Sequence, residues 1–222
     1  LTLSDRLQRA PELPPITLLF THFHLDHVIG LPLFQPLYRR GARITLMADP
    51  RRGNWQRPLC ALAGHPFWPM PLRNCPARIR LEDLPVAPAT LKRHGVRIRW
   101  CPVRHPQRCL AYRIETACGS VVIATDYEPG NSRCDQAFLD FCRGADTLIL
   151  DAQYTPRERE THRGWGHGSW PEAAALARAA GVGELILTHH DRLRTDAQIE
   201  AIVTQARRRF PRTRAARDGR QL

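Results

Sequence analysis

Thr21-His22-Phe23-His24-Leu25-Asp26-His27 places three imidazoles and a carboxylate within six consecutive residues, His22 to His27, directly after the apolar run Ile16-Thr17-Leu18-Leu19-Phe20. The run reads as a short buried strand, because four of its five residues are apolar and Pro14 and Pro15 bound it upstream. Alternate residues of an extended segment share a face, so His22 and His24 can turn two ring nitrogens toward one cation. Asp26 and His27, past the turn into a helix, can reach a second. A lone histidine is usually a surface or core residue. Histidine and aspartate at this density form a ligand set for transition metals.

Two cations need more donors than one loop supplies, and donors recur at the ends of later strands. The alternating apolar and basic stretch Val96 to Val103 leads to His105. The buried-type run Val121-Val122-Ile123-Ala124-Thr125 ends at Asp126, and Leu185-Ile186-Leu187-Thr188 ends at His189. Strand ends are where several elements can aim side chains at one point. Singly, His105 before Pro106 and Asp126 before Pro129-Gly130 read equally as ordinary loop and turn residues; their joint recurrence is the signal.

These residues resemble the metallo-β-lactamase superfamily, over most of the chain from about Ile16 to His190, with the His-x-His-x-Asp-His motif as the most specific element. The resemblance implies that His22, His24 and His105 bind one metal, that Asp26, His27 and His189 bind the other, and that Asp126 bridges them. It also implies an α/β fold of the four-layer αββα sandwich type. The coarse reading agrees: strands near 43–48, 96–103, 109–115, 119–125, 146–151 and 184–188 alternate with helical stretches near 27–38, 133–143, 170–180 and 195–209. The family normally opens with about two more strands, whereas some fifteen residues precede the first strand here, so part of the usual N-terminal sheet is expected to be lacking. An edge strand exposed in that way needs a partner or a cover, and a homodimer is one such arrangement.

Gly164-Trp165-Gly166-His167-Gly168-Ser169-Trp170 precedes an alanine-rich run, Glu172 to Ala180, that reads as a helix. Ser169 followed by Glu172 is a capping box, so His167 sits in a glycine-flexible loop beside a helix N-terminus, where backbone N–H groups attract negative charge. The segment resembles the Gly-His-Ser/Thr region of ribonuclease Z and its phosphodiesterase relatives, with Gly168 where serine is usual. The resemblance implies that His167 assists the leaving group. Only 20 residues separate His105 from Asp126, enough for two strands at about 3.3 Å per residue and too few for the long arm of ribonuclease Z. The interval His105-Pro106, Tyr112-Arg113 and Thr125-Asp126 is similar instead to small-molecule members, including cyclic-phosphate phosphodiesterases.

The expected activity is hydrolysis of a small or cyclic phosphate ester by hydroxide held between two divalent ions, with Asp26 as ligand and orienter of the nucleophile and His167 as proton donor. Zinc is the first choice for so histidine-rich a set; Asp26 and Asp126 also suit manganese or iron. Two alternatives belong to other classes. One is a lactone or thioester hydrolase of the same superfamily, which has no need of His167. The other is an inactive truncated domain or arginine-rich binding module.

At 222 residues and 43% hydrophobic content, one domain over 1–210 is expected. No stretch approaches the roughly 18 apolar residues of a membrane span, and no membrane partner is expected. Seven irregularly spaced cysteines fit neither a disulfide framework nor a zinc module, so buried thiols such as Cys101 and Cys118 and a cytoplasmic location are expected. The formal charge is +12, yet Lys92 is the only lysine among 33 basic residues. So lopsided an arginine bias reads as base composition rather than a nucleic-acid surface, and nucleic acid is not favoured as a partner. Residues 211–222 read as a basic tail after Pro211. The proline-rich region 50–88, with Trp55, Trp68 and Met70, reads as a loop or short helical insert near the mouth of the site that shapes substrate choice.

Overall fold

The computed structural model describes residues 3–86, 90–130 and 132–219. The chain packs as two compact units, one within Leu1–Ala89 and Asp218–Leu222 and the other within Thr90–Arg217. Each has its own sheet and its own apolar core.

The first unit runs α1 (Leu3–Arg9), β1 (Ile16–Leu19), α2 (Leu25–Val28), β2 (Arg43–Ala48), α3 (Gln56–Leu62) and β3 (Arg78–Asp83). The strands form a parallel sheet in the order β1-β2-β3. Central β2 is buried along Ile44–Ala48 and meets Leu37, Trp55 and Leu59 in the core. A helix over 27–38 does not form. Helix α2 stops at Val28 and only a 3-10 turn, Gln35–Tyr38, follows. Pro32 and Pro36 each remove a backbone donor and push the preceding residue out of the helical region, so a continuous helix cannot pass them. Region 50–88 holds the short helix expected there and, unexpectedly, a strand. It supplies α3 and β3, and Trp55, 2% exposed, donates its indole N–H to Asp83 Oδ1 at 2.7 Å. Residues 87–88 lie outside the described residues.

The second unit runs β4 (Thr90–Arg93), β5 (Val96–Val103), β6 (Cys109–Thr116), β7 (Gly119–Ala124), α4 (Ser132–Cys142), β8 (Thr147–Asp151), α5 (Pro156–Thr161), α6 (Trp170–Ala180), β9 (Glu184–Thr188), α7 (Asp196–Arg207) and β10 (Thr213–Ala215). Its strand order is β10-β9-β8-β7-β6-β5-β4. Strands β4 to β7 form an antiparallel meander, and β7 to β10 are parallel, each joined by a crossover that carries a helix. Helix α6 begins at the expected box, Ser169 N–H donating to Glu172 Oε2 at 2.8 Å, and ends at Gly181 in the left-handed region at φ 62°. Its small buried residues Ala173, Ala174, Ala177 and Ala180 lie at helical spacing in the core beside Leu148, Leu150, Leu185 and Leu187.

The mixed α/β class stands as expected, with sheets flanked by helices. The basic tail does not: Thr213–Ala215 is a strand paired to Leu185–Leu187, because Thr213 and Ala215 bury their side chains while Arg214 pairs with Glu184 at 2.6 Å. Residues 220–222 lie outside the described residues. Cys118, expected to be buried, is exposed at the β6–β7 turn, and Cys101 is half-buried. Among the described residues no helix is long and apolar enough to cross a membrane.

Candidate metal centre

In the first unit the histidine motif leaves β1 as an extended strand end. Phe20 N–H still bonds Met47 O at 2.9 Å, and His24 keeps extended dihedrals (φ −62°, ψ 151°) as the residue before α2. Alternation then separates the side chains as the sequence predicts. Phe23 stacks on Phe20 and Trp55, with centroids at 5.5 and 6.3 Å, on the core side. His22 and His24 meet edge to face with centroids 4.6 Å apart, and α2 brings His27 to 4.2 Å from His22. Asp26 Oδ2 lies 3.2 Å from His27 Nε2. Thr21 Oγ1 is 3.1 Å from His22 Nδ1, which fixes that fully buried ring. All four expected donors of this unit therefore stand together.

In the second unit the parallel run β7-β8-β9 does the same work. Ala124 pairs with Leu150 and Leu150 with Leu187, so the carboxyl ends of the three strands come level. Asp126, Asp151 and His189 emerge from these ends, and His105 emerges from the end of β5. Asp126, 1% exposed, is the centre of the group: its Oδ2 lies 3.8 Å from His105 Nε2, 3.7 Å from His189 Nε2 and 3.9 Å from His167 Nδ1. Donor atoms of Asp126, His167 and His189 all lie within 4.8 Å of one another, close enough for one ion. His189 adopts φ 56°, a left-handed conformation uncommon outside glycine and costing of order 1–3 kcal/mol.

His167 is held where the sequence predicts, in the loop before α6, but by a residue that sequence reasoning missed. Asp151 Oδ2 lies 2.7 Å from His167 Nδ1 and also accepts Tyr127 N–H at 3.2 Å, while Asp151 Oδ1 accepts Gln153 N–H at 3.0 Å. Burial pushes the Asp151 carboxyl well above the ordinary range; the His189 charge and the two N–H groups oppose that, and Asp126 adds to it. The missed signal was available: Leu148-Ile149-Leu150-Asp151 is a buried strand ending in a carboxylate, the same pattern that marks Asp126. Glu128, two residues past Asp126, was missed too. Burial would raise its carboxyl, but N–H groups of Gly164 and Gly166 and the Arg159 guanidinium hold it below the usual range.

Imidazole nitrogens and carboxylate oxygens are the only donors in both sets, with no thiol among them. Such donors suit a divalent ion of the zinc, manganese or iron kind. The 20 residues between His105 and Asp126 hold nothing but the β6–β7 hairpin and its flanks, so no arm protrudes there.

A family model described as the β-lactamase superfamily domain matches residues 2–190. Ribonuclease Z of Bradyrhizobium sp. (strain ORS 278) is 31% identical over 245 residues, covering 90% of this chain and 79% of that protein. The metallo-β-lactamase fold protein YhfI from Bacillus subtilis superposes with a TM-score of 0.69 at 19% identity, over 92% of this chain and 76% of that one. A diphosphatase from the PhnP family superposes with a TM-score of 0.66 at 22% identity, over 93% of this chain and 70% of that one.

Proposed function

This chain belongs to the metallo-β-lactamase superfamily, as a hydrolase near the ribonuclease Z branch, and from that premise we propose that it is a phosphodiesterase acting on a small or cyclic phosphate ester with two divalent ions, zinc first. His22, His24 and His105 would hold one ion, Asp26, His27 and His189 the other, and Asp126 would bridge. When bound, such ions supply a water whose pKa falls to about 7 in favourable zinc sites, and positive charge against the phosphate oxygens.

The chain's own residues supply the rest. Asp26 orients the attacking water as well as serving as a ligand. His167 donates a proton from Nε2 to the departing alkoxide, because its Nδ1 is engaged by Asp151 at 2.7 Å, closer than to Asp126 at 3.9 Å. Asp151 fixes that ring. The Asp151–His167 bond is the observation that carries the reading: an acyl substrate has no need of an oriented proton donor there. The names of two similar proteins, a ribonuclease Z and a diphosphatase, place their chemistry on phosphorus and support the same choice. The short β6–β7 hairpin favours a small ester over nucleic acid.

Elemental analysis of the purified protein, followed on the same preparation by assays of bis(p-nitrophenyl) phosphate and a lactone panel, tests the proposal. Bound metal with phosphodiester cleavage is expected. Activity confined to lactones overturns it.

A further inference from the structure

We propose that Glu128 is a positioning residue that sets metal affinity through His105, an inference that rests on the metal-site reading above. Glu128 is 2% exposed, and a carboxylate so buried persists only with partners for its charge. Both oxygens are engaged by the loop that carries His167: Oε1 accepts Gly164 N–H at 2.7 Å and Oε2 accepts Gly166 N–H at 2.8 Å. Arg159 Nη1 lies 3.1 Å from Oε1, and Arg159 Nη2 donates to Pro129 O at 2.9 Å, which ties the carboxylate to the loop after β7.

The other end of Gly166 faces His105. Its carbonyl oxygen lies 2.9 Å from His105 Nδ1. A carbonyl only accepts, so Nδ1 carries the hydrogen and the neutral ring presents the Nε2 lone pair, the nitrogen that faces Asp126. The approach is so close that a Cβ on Gly166 would sit 2.2 Å from His105 Nδ1, and the residue adopts φ 96°. Glu128 grips the N–H of the same residue whose carbonyl orients His105. One buried carboxylate thus sets the tautomer and direction of a ligand and, one residue on, the seat of His167. Outer partners of this kind tune affinity by about 10- to 100-fold when removed.

The experiment compares wild type with Glu128→Gln, whose amide has one acceptor oxygen for two N–H groups. Zinc affinity is measured against a competing chelator, and the His105 ring tautomer by nitrogen-15 NMR. Zinc binding about 10- to 100-fold weaker in the variant, with the Nδ1–H form of His105 depleted, is expected. Unchanged affinity and tautomer in a folded variant of lowered melting temperature overturns the inference, leaving Glu128 a structural brace. If Glu128→Gln does not fold, Glu128→Asp, which reaches one N–H only, is read in the same way. An Nε2–H tautomer for His105 in the wild type also overturns it. Less than one zinc per wild-type chain overturns the metal-site reading instead, so the two failures are distinct.

Discussion

His167 Nδ1 stands 2.7 Å from the fully buried carboxylate of Asp151, a pairing between a glycine-rich loop and the end of β8. Through it a histidine in a glycine-rich stretch acquires one orientation.

Replacing His167 by Ala is expected to slow phosphodiester cleavage by about 10²- to 10⁴-fold while sparing any lactone hydrolysis. Asp151→Asn, which keeps the size but has one acceptor oxygen where Asp151 uses two, is expected to lower kcat more than it raises KM, because it disturbs the orientation of the donor and not substrate binding. Steady-state kinetics of the two variants on bis(p-nitrophenyl) phosphate provide the check; full activity in His167→Ala removes the assigned role.

Asp126 lies within 4 Å of three imidazoles, so its loss should release metal rather than merely slow turnover. Dialysis against a chelator is expected to abolish wild-type activity, and zinc to restore it. Asp126→Ala should retain fewer metals per chain by elemental analysis. Retention equal to wild type contradicts its place as bridging ligand.

Gly166→Ala introduces a methyl into the His105 ring and forces φ 96° on a residue with a side chain. A cost of at least about 2 kcal/mol in unfolding free energy is expected. Gly164→Ala, also at positive φ but with open space around the added carbon, should cost less. Denaturant melts of the two variants should rank in that order.

Glu115 carries an acid-dependent share of stability. Burial raises its carboxyl, but Arg99, Arg113 and Arg97 outweigh that and hold it below the ordinary 4.5. A carboxylate depressed in the folded state contributes stability above its unfolded pKa, and that contribution is lost as pH falls through the folded value. The wild type should therefore lose more stability than Glu115→Gln between about pH 5 and the acid end of the curve. Parallel melting curves for the two proteins across that range contradict the assignment.

The strands that sequence reasoning missed share one physical feature. β2 and β7 to β9 hold buried apolar runs, and β5 alternates apolar and basic residues; each is a local signature. β3, β4 and β10 were missed, and all three lie at sheet edges. Arg78-Ile79-Arg80-Leu81-Glu82-Asp83 and Thr90-Leu91-Lys92-Arg93 keep much of their surface in solvent, so hydrophobicity does not mark them. The 27–38 helix failed for a reason that was legible, since Pro32 and Pro36 stand inside it.

The sequence by itself determined that His22 and His24 share one face with Asp26 and His27 close behind, because alternation along an extended strand is a property of the local backbone. It also determined that His105, Asp126 and His189 close strands, and that His167 precedes a capped helix. Only the tertiary structure decided that Asp151 would hold His167 and that Glu128 would grip Gly164 and Gly166, residues 36 and 38 positions away. Those contacts depend on β7, β8 and β9 lying parallel with their carboxyl ends level. Strand order follows from which apolar faces pack together over long separations, and no local period records it.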